Sequence, residues 1–214
     1  MIGKGVLIEC IEDPSIQKVT LINRSPIDIK HPKIHEILLK DFQELDTIKK
    51  DLGGIDACFH IMGVSAIGLS EESYSKLTYD ITAKLADIMY EINPEMTFIY
   101  VSGTGTDSSE KGSIMWARVK GRAENHVLKK GFNKALMFRP GAIIPEKGTR
   151  SKVRAYRIIY ALIRPFFPLM KKSNKITTTT KIGRAMIHSL SEKLEEVYFE
   201  NPEINLLAEE RSSS

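Results

Sequence analysis

An α/β fold with a doubly wound parallel sheet is what this chain of 214 residues predicts. Two observations carry it. Short apolar runs rich in β-branched and aromatic residues alternate with longer stretches whose apolar residues recur at helical spacing. Turn residues punctuate the junctions: Asp13-Pro14, Gly53-Gly54, Asn93-Pro94, Gly103-Thr104-Gly105 and Gly131. Alternation of this kind makes βαβ units, whose strands run parallel. The length suits one domain, or one domain with a small lobe.

Residues 1–13 read as a helix with Val6, Leu7, Cys10 and Ile11 on its apolar face. Residues 18–23 are a strand, followed by Arg24-Ser25-Pro26. Residues 34–39 are short and apolar and lead into Asp41-Phe42. Residues 42–52 form a polar-faced helix that Gly53-Gly54 ends. The run 55–62 is continuously apolar up to Gly63, which suits a strand covered on both faces. His60 inside that run reads as a satisfied core histidine. Leu77, Ile81, Leu85, Ile88 and Met89 give residues 71–92 the pattern of a long helix.

The central stretch is 96–124. Met96 to Val101 is a buried strand, broken by Gly103, Thr104 and Gly105. Ser113 offers a cap to the next helix. There Trp116 and Lys120 are four residues apart and share a face. A hydroxyl-bearing loop at a strand's carboxyl end faces a helix that presents a lysine. In open α/β sheets, ligands bind in the crevice outside those strand ends. Beyond it, residues 134–139 are a strand, a threonine-capped helix covers 182–190, and residues 197–201 fit a late strand. Residues after Leu207 are polar and read as a frayed end. The run 153–170 mixes three arginines with many aromatic and aliphatic residues. It suits packing in a small lobe, a dimer surface, or a peripheral membrane contact.

The segment VSGTGTDSSEKGSIMWARVKGRAE, residues 101–124, resembles the active-site segment of the short-chain dehydrogenase/reductase superfamily. There a strand-end Ser/Thr faces a Tyr-x-x-x-Lys helix. Lys120-Gly-Arg-Ala-Glu124 and Phe138-Arg-Pro-Gly141 are most similar to its atypical branch, which holds the NAD-dependent epimerase/dehydratase and TIP30-like proteins. The resemblance runs from about Gly3 to about Leu207 and implies a Rossmann-like fold with a small C-terminal substrate lobe at about 145–180. It implies cofactor contacts at Gly3, Arg24, Ser25, Asp41, Phe42, Gly63, Val64, Lys120, Pro140, Gly141 and Ile143. Gly63 and Val64 would pass under the dinucleotide, Asp41 and Phe42 would meet the adenine, and Pro140, Gly141 and Ile143 would face the nicotinamide. Catalytic roles would fall to Lys120, Thr104, Ser102 and Trp116.

Two departures qualify it. Trp116 stands where the family has its tyrosine, and an indole N–H donates a hydrogen bond but is no acid near neutral pH. The family also opens with a strand and a Gly-x-x-Gly-x-x-Gly turn. Gly3 matches the last glycine, and the rest has no counterpart here. The chain is therefore expected to be truncated at its N-terminus. Strands 18–23 and 55–62 should then either leave a slot between them or collapse into contact.

Arg24 and Ser25 after the second strand favour NADP(H) over NAD(H), because an arginine there accommodates a 2′-phosphate. The expected function is an NADPH-dependent oxidoreductase or epimerase acting on a small carbonyl or sugar-like substrate. The rival is an NADP(H)-binding regulator or scaffold without turnover. Composition adds bounds. A net charge of +4 with no basic block gives no case for nucleic acid. No metal-ligand spacing and no Gly-x-Ser-x-Gly elbow appear. Cys10 and Cys58 sit in apolar runs and read as buried free thiols of a reducing compartment, the cytoplasm. The start lacks a charged region before an apolar core, and no run reaches the roughly 18 apolar residues of a membrane span.

Overall fold

The computed structural model describes residues 1–149, 165, 167–171 and 173–209. Most of the 153–170 run singled out above lies outside the described residues. Helix α1 is Ile2–Glu12, strand β1 is Val19–Asn23 and strand β2 is Ile34–Leu38. A 3-10 helix, Phe42–Leu52, precedes strand β3, Ala57–His60. Helix α2, Glu71–Ser75, passes through a π-turn at Lys76–Asp80 into helix α3, Ile81–Ile92. Strand β4, Thr97–Val101, leads through a loop to helix α4, Met115–Lys130. Strands β5, Lys134–Phe138, and β6, Ala142–Ile144, come next, then the short helix α5, Phe167–Met170. Strand β7, Ile176–Thr178, runs directly into helix α6, Thr179–His188. Strand β8, Tyr198–Phe199, and helix α7, Asn201–Leu207, complete the described chain.

Among the described residues every strand pairing is parallel, as the alternation predicts. The four-stranded ladder is ordered β3-β4-β5-β8, with Cys58 opposite Phe98 and Ile99 opposite Leu136. The second ladder joins β1 to β2 and the third joins β6 to β7. The period-2 alternation of β4 sorts the core. Phe98 and Tyr100 point to one face, where α3, α4 and the 3-10 helix bury Leu45, Leu52, Met89 and Val127. Ile99 and Val101 point to the other, against Val6 of α1, Ile182 and Met186 of α6, and Ile204 of α7. The sheet is thus covered on both faces, which is the doubly wound arrangement.

Strands β1 and β3 share no ladder. Of the two outcomes expected for them, collapse into direct pairing does not occur. They remain separate while contributing to the same two cores: Val19 and Phe59 on the α1–α6 side, Ile22 and Cys58 on the α3 side. The helix read at 42–52 is present as a 3-10 helix with a kink at Glu44. One local reading is corrected. Ser113 caps nothing, because α4 starts one residue later behind Ile114, which makes no side-chain cap bond. Residues 109–112 are already held as a turn by Asp107, and that fixes the later start.

His60 is a core histidine. Its Nε2 lies 2.9 Å from the Thr82 hydroxyl, its ring stacks on Tyr100, and burial lowers its pKa to about 4. Cys10 is buried too, and burial pushes its thiol up to about 12.

Helices α1 and α6 pack through glycines. A Cβ on Gly5 would stand 2.6 Å from the Thr179 Cβ, and one on Gly183 would stand 2.7 Å from the Glu9 Cγ. Thr179 is β-branched and cannot swing aside. Gly5→Ala should therefore cost about 1–3 kcal/mol through overpacking. That exceeds the roughly 1 kcal/mol of helix propensity it gains. Urea denaturation checks this, and a Gly5→Ala protein as stable as the parent would show that the two helices tolerate wider spacing.

Candidate functional site

The candidate site lies where β4 and β5 end. Ser102 N donates to Phe138 O at 2.9 Å and Thr104 N to Pro140 O at 3.2 Å, so the two chains stay zipped one turn beyond their strands. Gly105 then takes φ 84°, which side-chain-bearing residues rarely adopt. The loop folds back over α4, where Asp107 N donates to Ala117 O at 3.1 Å. The Asp107 carboxylate accepts from Ser109 N and Oγ at 3.0 and 2.6 Å and from Gly112 N at 2.7 Å. These bonds, that from the Ser109 hydroxyl first, hold its carboxyl below the usual range. Contact with α4 is so close that a Cβ on Gly121 would fall 1.8 Å from the Asp107 carbonyl oxygen. Glycine is required at 121 by that approach.

Helix α4 turns Trp116 and Lys120 toward the loop, as their spacing predicts. The Lys120 ammonium lies 5.9 Å from the Trp116 ring centre and donates to the Ser102 carbonyl. Desolvation lowers the Lys120 pKa, and the charge of Glu124 opposes that shift. Trp116 is half-exposed, and its ring edge lies 3.6 Å from where a Gly105 Cβ would stand. It is partly exposed beside the loop rather than buried in the core.

Beneath these groups lies Glu124, with 0% of its surface exposed. Arg139 Nε donates to its Oε1 at 2.9 Å, Arg139 Nη2 donates to its Oε2, and the Ser102 hydroxyl donates to Oε1. Arg139 also donates to the Ser108 Oγ at 2.5 Å and lies 4.2 Å from the Tyr198 ring centre. One buried carboxylate therefore ties α4, β4, β5 and the loop together. Burying such a charge is tolerable only when it is paired and hydrogen-bonded.

The remaining hydroxyls of the strand end are engaged as well. Thr104 Oγ1 donates to Arg139 O at 2.9 Å, and Thr106 Oγ1 donates to Gly103 O at 2.7 Å. Pro140 is buried, while Gly141 N donates to Asn201 Oδ1 at 3.1 Å. A Cβ on Gly141 would approach the Thr104 Oγ1 to 3.0 Å. Asn201 also donates to Ala142 O at 3.1 Å and Lys175 O at 2.7 Å, locking β6 beside β7. Ile143 is half-buried against the α1–α6 core.

The structure thus gathers Ser102, Thr104, Trp116, Lys120, Pro140 and Gly141 at one place. The other expected contacts lie along the same edge. Arg24 and Ser25 are exposed just after β1, in a turn that Glu36 anchors by accepting from Asn23 Nδ2 at 2.8 Å and Ile27 N at 3.2 Å. Asp41 is exposed and caps the 3-10 helix by accepting from Gln43 N at 2.9 Å, with Phe42 half-buried behind it. Gly63 and Val64 follow β3, and a Cβ on Gly63 would meet nothing within 4 Å. Lys33, at the start of β2, donates to Ile11 O and Asp13 O at 2.9 and 2.7 Å. The C-terminus of α1 is therefore at the strands' amino ends and its N-terminus, with Gly3, at their carboxyl ends. Gly3 is exposed there, with open space beside it. Among the described residues no group of three or more His, Cys, Asp or Glu could hold a metal, and no helix is long and apolar enough to cross a membrane.

Three site residues escaped the reading of the sequence: Glu124, Arg139 and Asn201. A signal existed for the first. Glu124 is four residues after Lys120 on the face that Trp116 and Lys120 share, and an acid on an inward stripe demands a basic partner.

Comparison with known proteins agrees with this architecture. No protein-family model matches the chain. Protein FMP52-1, mitochondrial, of Scheffersomyces stipitis is 25% identical over 151 residues, which is 70% of this chain and 66% of that protein. Protein HTATIP2 of Rattus norvegicus is 25% identical over 147 residues, 68% of this chain and 60% of that protein. The chain thus spans less than two thirds of the length of these relatives. Among solved structures, MoeE5 in complex with UDP-glucuronic acid and NAD superposes with a TM-score of 0.68 at 16% identity, over 93% of this chain and 72% of that one. UDP-glucuronic acid 4-epimerase from Bacillus cereus in complex with NAD gives 0.67 at 16%, over 94% and 74%. The fold is Rossmann-like. The resemblance to TIP30-like proteins has a counterpart in the HTATIP2 protein among the relatives.

Removing one partner of a buried pair leaves the other charged and uncompensated, at a cost of about 3–5 kcal/mol. Glu124→Ala should destabilise by that amount, and Glu124→Ala/Arg139→Met by less than the single change. The denaturation midpoints of the three proteins decide it. A double variant weaker than Glu124→Ala would mean that the two residues act separately.

Proposed function

We propose that the crevice binds a nicotinamide dinucleotide, NADP(H) before NAD(H), and that the protein is an oxidoreductase or epimerase of a small carbonyl or sugar-like substrate. The observation that carries this reading is the gathering of Ser102, Thr104, Trp116 and Lys120 at the carboxyl ends of parallel strands, where such folds bind ligands. The residues present fit the cofactor. The open first turn of α1 at Gly3 offers backbone N–H groups to a pyrophosphate. The open space at Gly63 leaves room beside β3. Arg24 and Ser25 are free to meet a 2′-phosphate, since Glu36, the acid near them, is turned to Asn23 and Ile27. Lys120 would hold the nicotinamide ribose, Asp41, Phe42 and Val64 would border the adenosine, and Pro140, Gly141 and Ile143 would border the ring. When bound, the dinucleotide supplies hydride exchange. The protein's part is to orient the substrate, to place positive charge at its oxygen through Lys120, and to exclude water with Trp116.

The relatives support this reading without fixing the substrate. MoeE5 and the Bacillus cereus epimerase are described with NAD. The preference for the phosphorylated cofactor rests on Arg24 and Ser25. A second reading, a dinucleotide-binding regulator without turnover, is favoured by one observation: Trp116 replaces the proton-donating tyrosine. The free thiol of Cys10 and the half-buried Cys58 suit a reducing compartment, for which we propose the cytoplasm.

Calorimetric titration tests the cofactor. NADPH should bind at least about tenfold tighter than NADH, a difference of about 1.4 kcal/mol. Arg24→Ala should erase the gap. Equal affinities in the parent would refute the preference, and no binding of either would refute the site. Trp116→Tyr should raise turnover of NADPH with small carbonyls by restoring a phenol four residues before Lys120. A Trp116→Tyr protein no more active than its parent would favour the regulator.

A further inference from the structure

Besides the Trp116 indole N–H, the site as built has four hydrogen-bond donors at the strand end and lacks the usual phenolic acid. The hydroxyl protons are all spent inside the protein: that of Ser102 on Glu124, that of Thr104 on Arg139 O, that of Thr106 on Gly103 O. Facing a substrate, these oxygens are acceptors. Asp107 has its carboxyl below the ordinary range and turned to Ser109 and Gly112, so it carries no proton to give. Tyr100, Tyr74 and His60 are buried. What remains is the ammonium of Lys120. It has three protons, and one of them is given to Ser102 O.

We propose that Lys120 is the acid of this site, taking the role that Trp116 cannot. The proposal rests on the carbonyl-reducing function put forward above. In the step, the substrate carbon receives hydride from a dihydronicotinamide and the C=O π bond breaks. The carbonyl oxygen takes a proton from the Lys120 ammonium, leaving an alcohol and a neutral amine. Solvent then reprotonates the amine. The reverse direction oxidises an alcohol with the neutral amine as base, so the same group serves both.

Its surroundings suit the task. An ordinary lysine holds its proton too firmly to be an efficient acid near neutrality. Burial under the indole works against the charged form. The charges on neighbouring elements leave that effect standing. Glu124, on the same helix, favours the ammonium, but Arg139 at the end of β5 neutralises it. Arg118 on α4 is turned to Glu71 of α2 at 2.6 Å, and Arg122 to Ser75 and the Tyr79 ring. Asp107 in the loop faces its own turn. Glu124 thus acts as a positioning residue: it accepts the Ser102 hydroxyl hydrogen bond and fixes the strand end whose carbonyl orients Lys120.

Two readouts test this on the full chain. In protein carrying 13C-labelled lysine, the Cε resonance of Lys120 is identified by its absence from Lys120→Arg. It should titrate at lower pH than every other lysine. With NADPH and a carbonyl panel, turnover should fall as pH rises through that same midpoint, because the acid form is consumed. Lys120→Arg keeps a positive donor but cannot release a proton. It should lose turnover by at least about 100-fold and show no such falling limb. A Lys120 resonance that titrates with the other lysines overturns the assignment. So does a Lys120→Arg protein that turns over within about threefold of the parent. NADPH binding without turnover of any carbonyl also overturns it, by removing the catalytic reading. Absence of NADPH binding is a separate signature, seen as no change in the titration or the melting curve on adding NADPH, and it removes the dinucleotide reading together with this one.

Discussion

Glu124 is the constraint on which the crevice depends. A carboxylate with no exposed surface must be compensated on the spot. The two nitrogens of Arg139 and the hydroxyl of Ser102 do so. Each partner comes from a different strand end, so the charge can be satisfied only when β4, β5 and α4 have their native register. The same bonds set the chemistry above. They turn Ser102 into an acceptor and aim its carbonyl at Lys120. The loop 103–112 can lie on α4 only because residue 121 has no side chain.

The architecture was largely legible because both its periods are strong. Parallel strands covered on two faces give continuous apolar runs, and β3 and β4 read that way. The pair Trp116 and Lys120 was legible from helical spacing alone. What escaped were partners brought together by tertiary structure. Arg139 reads as the polar end of a strand, and only the pairing of β4 with β5 places it over Glu124. Asn201 reads as the end of the last strand, yet it begins α7 and clamps β6 to β7. The glycines 5, 121 and 183 carry no local signal, because the atoms they make room for are distant in sequence or on another element. Ser113 misleads for a comparable reason: residues 109–112 are claimed by Asp107 before a cap can form.

The edge around the crevice divides into two halves with different chemistry. Around β4 and β5 it is rigid, closed by backbone bonds and an ion pair. Around α1, β1 and β3 it is open: Gly3 and Gly63 have space beside them, Arg24 and Ser25 are exposed, and β1 and β3 belong to separate ladders. A rigid half suits the place where atoms react, since misplacement there is costly to rate. An open half suits the long body of a dinucleotide, where several weak contacts add up.

Mapping the backbone amides by NMR as NADPH is added tests the central claim most directly. The account predicts that perturbed amides cluster at Gly3, Arg24, Gly63, Gly103 and Gly141, along the carboxyl edge of the strands. Amides of α7 around Ile204, on the covered face, should stay still. Perturbations gathered instead in the groove lined by Glu9, Glu12, Arg184 and His188, or none at millimolar dinucleotide, would contradict it.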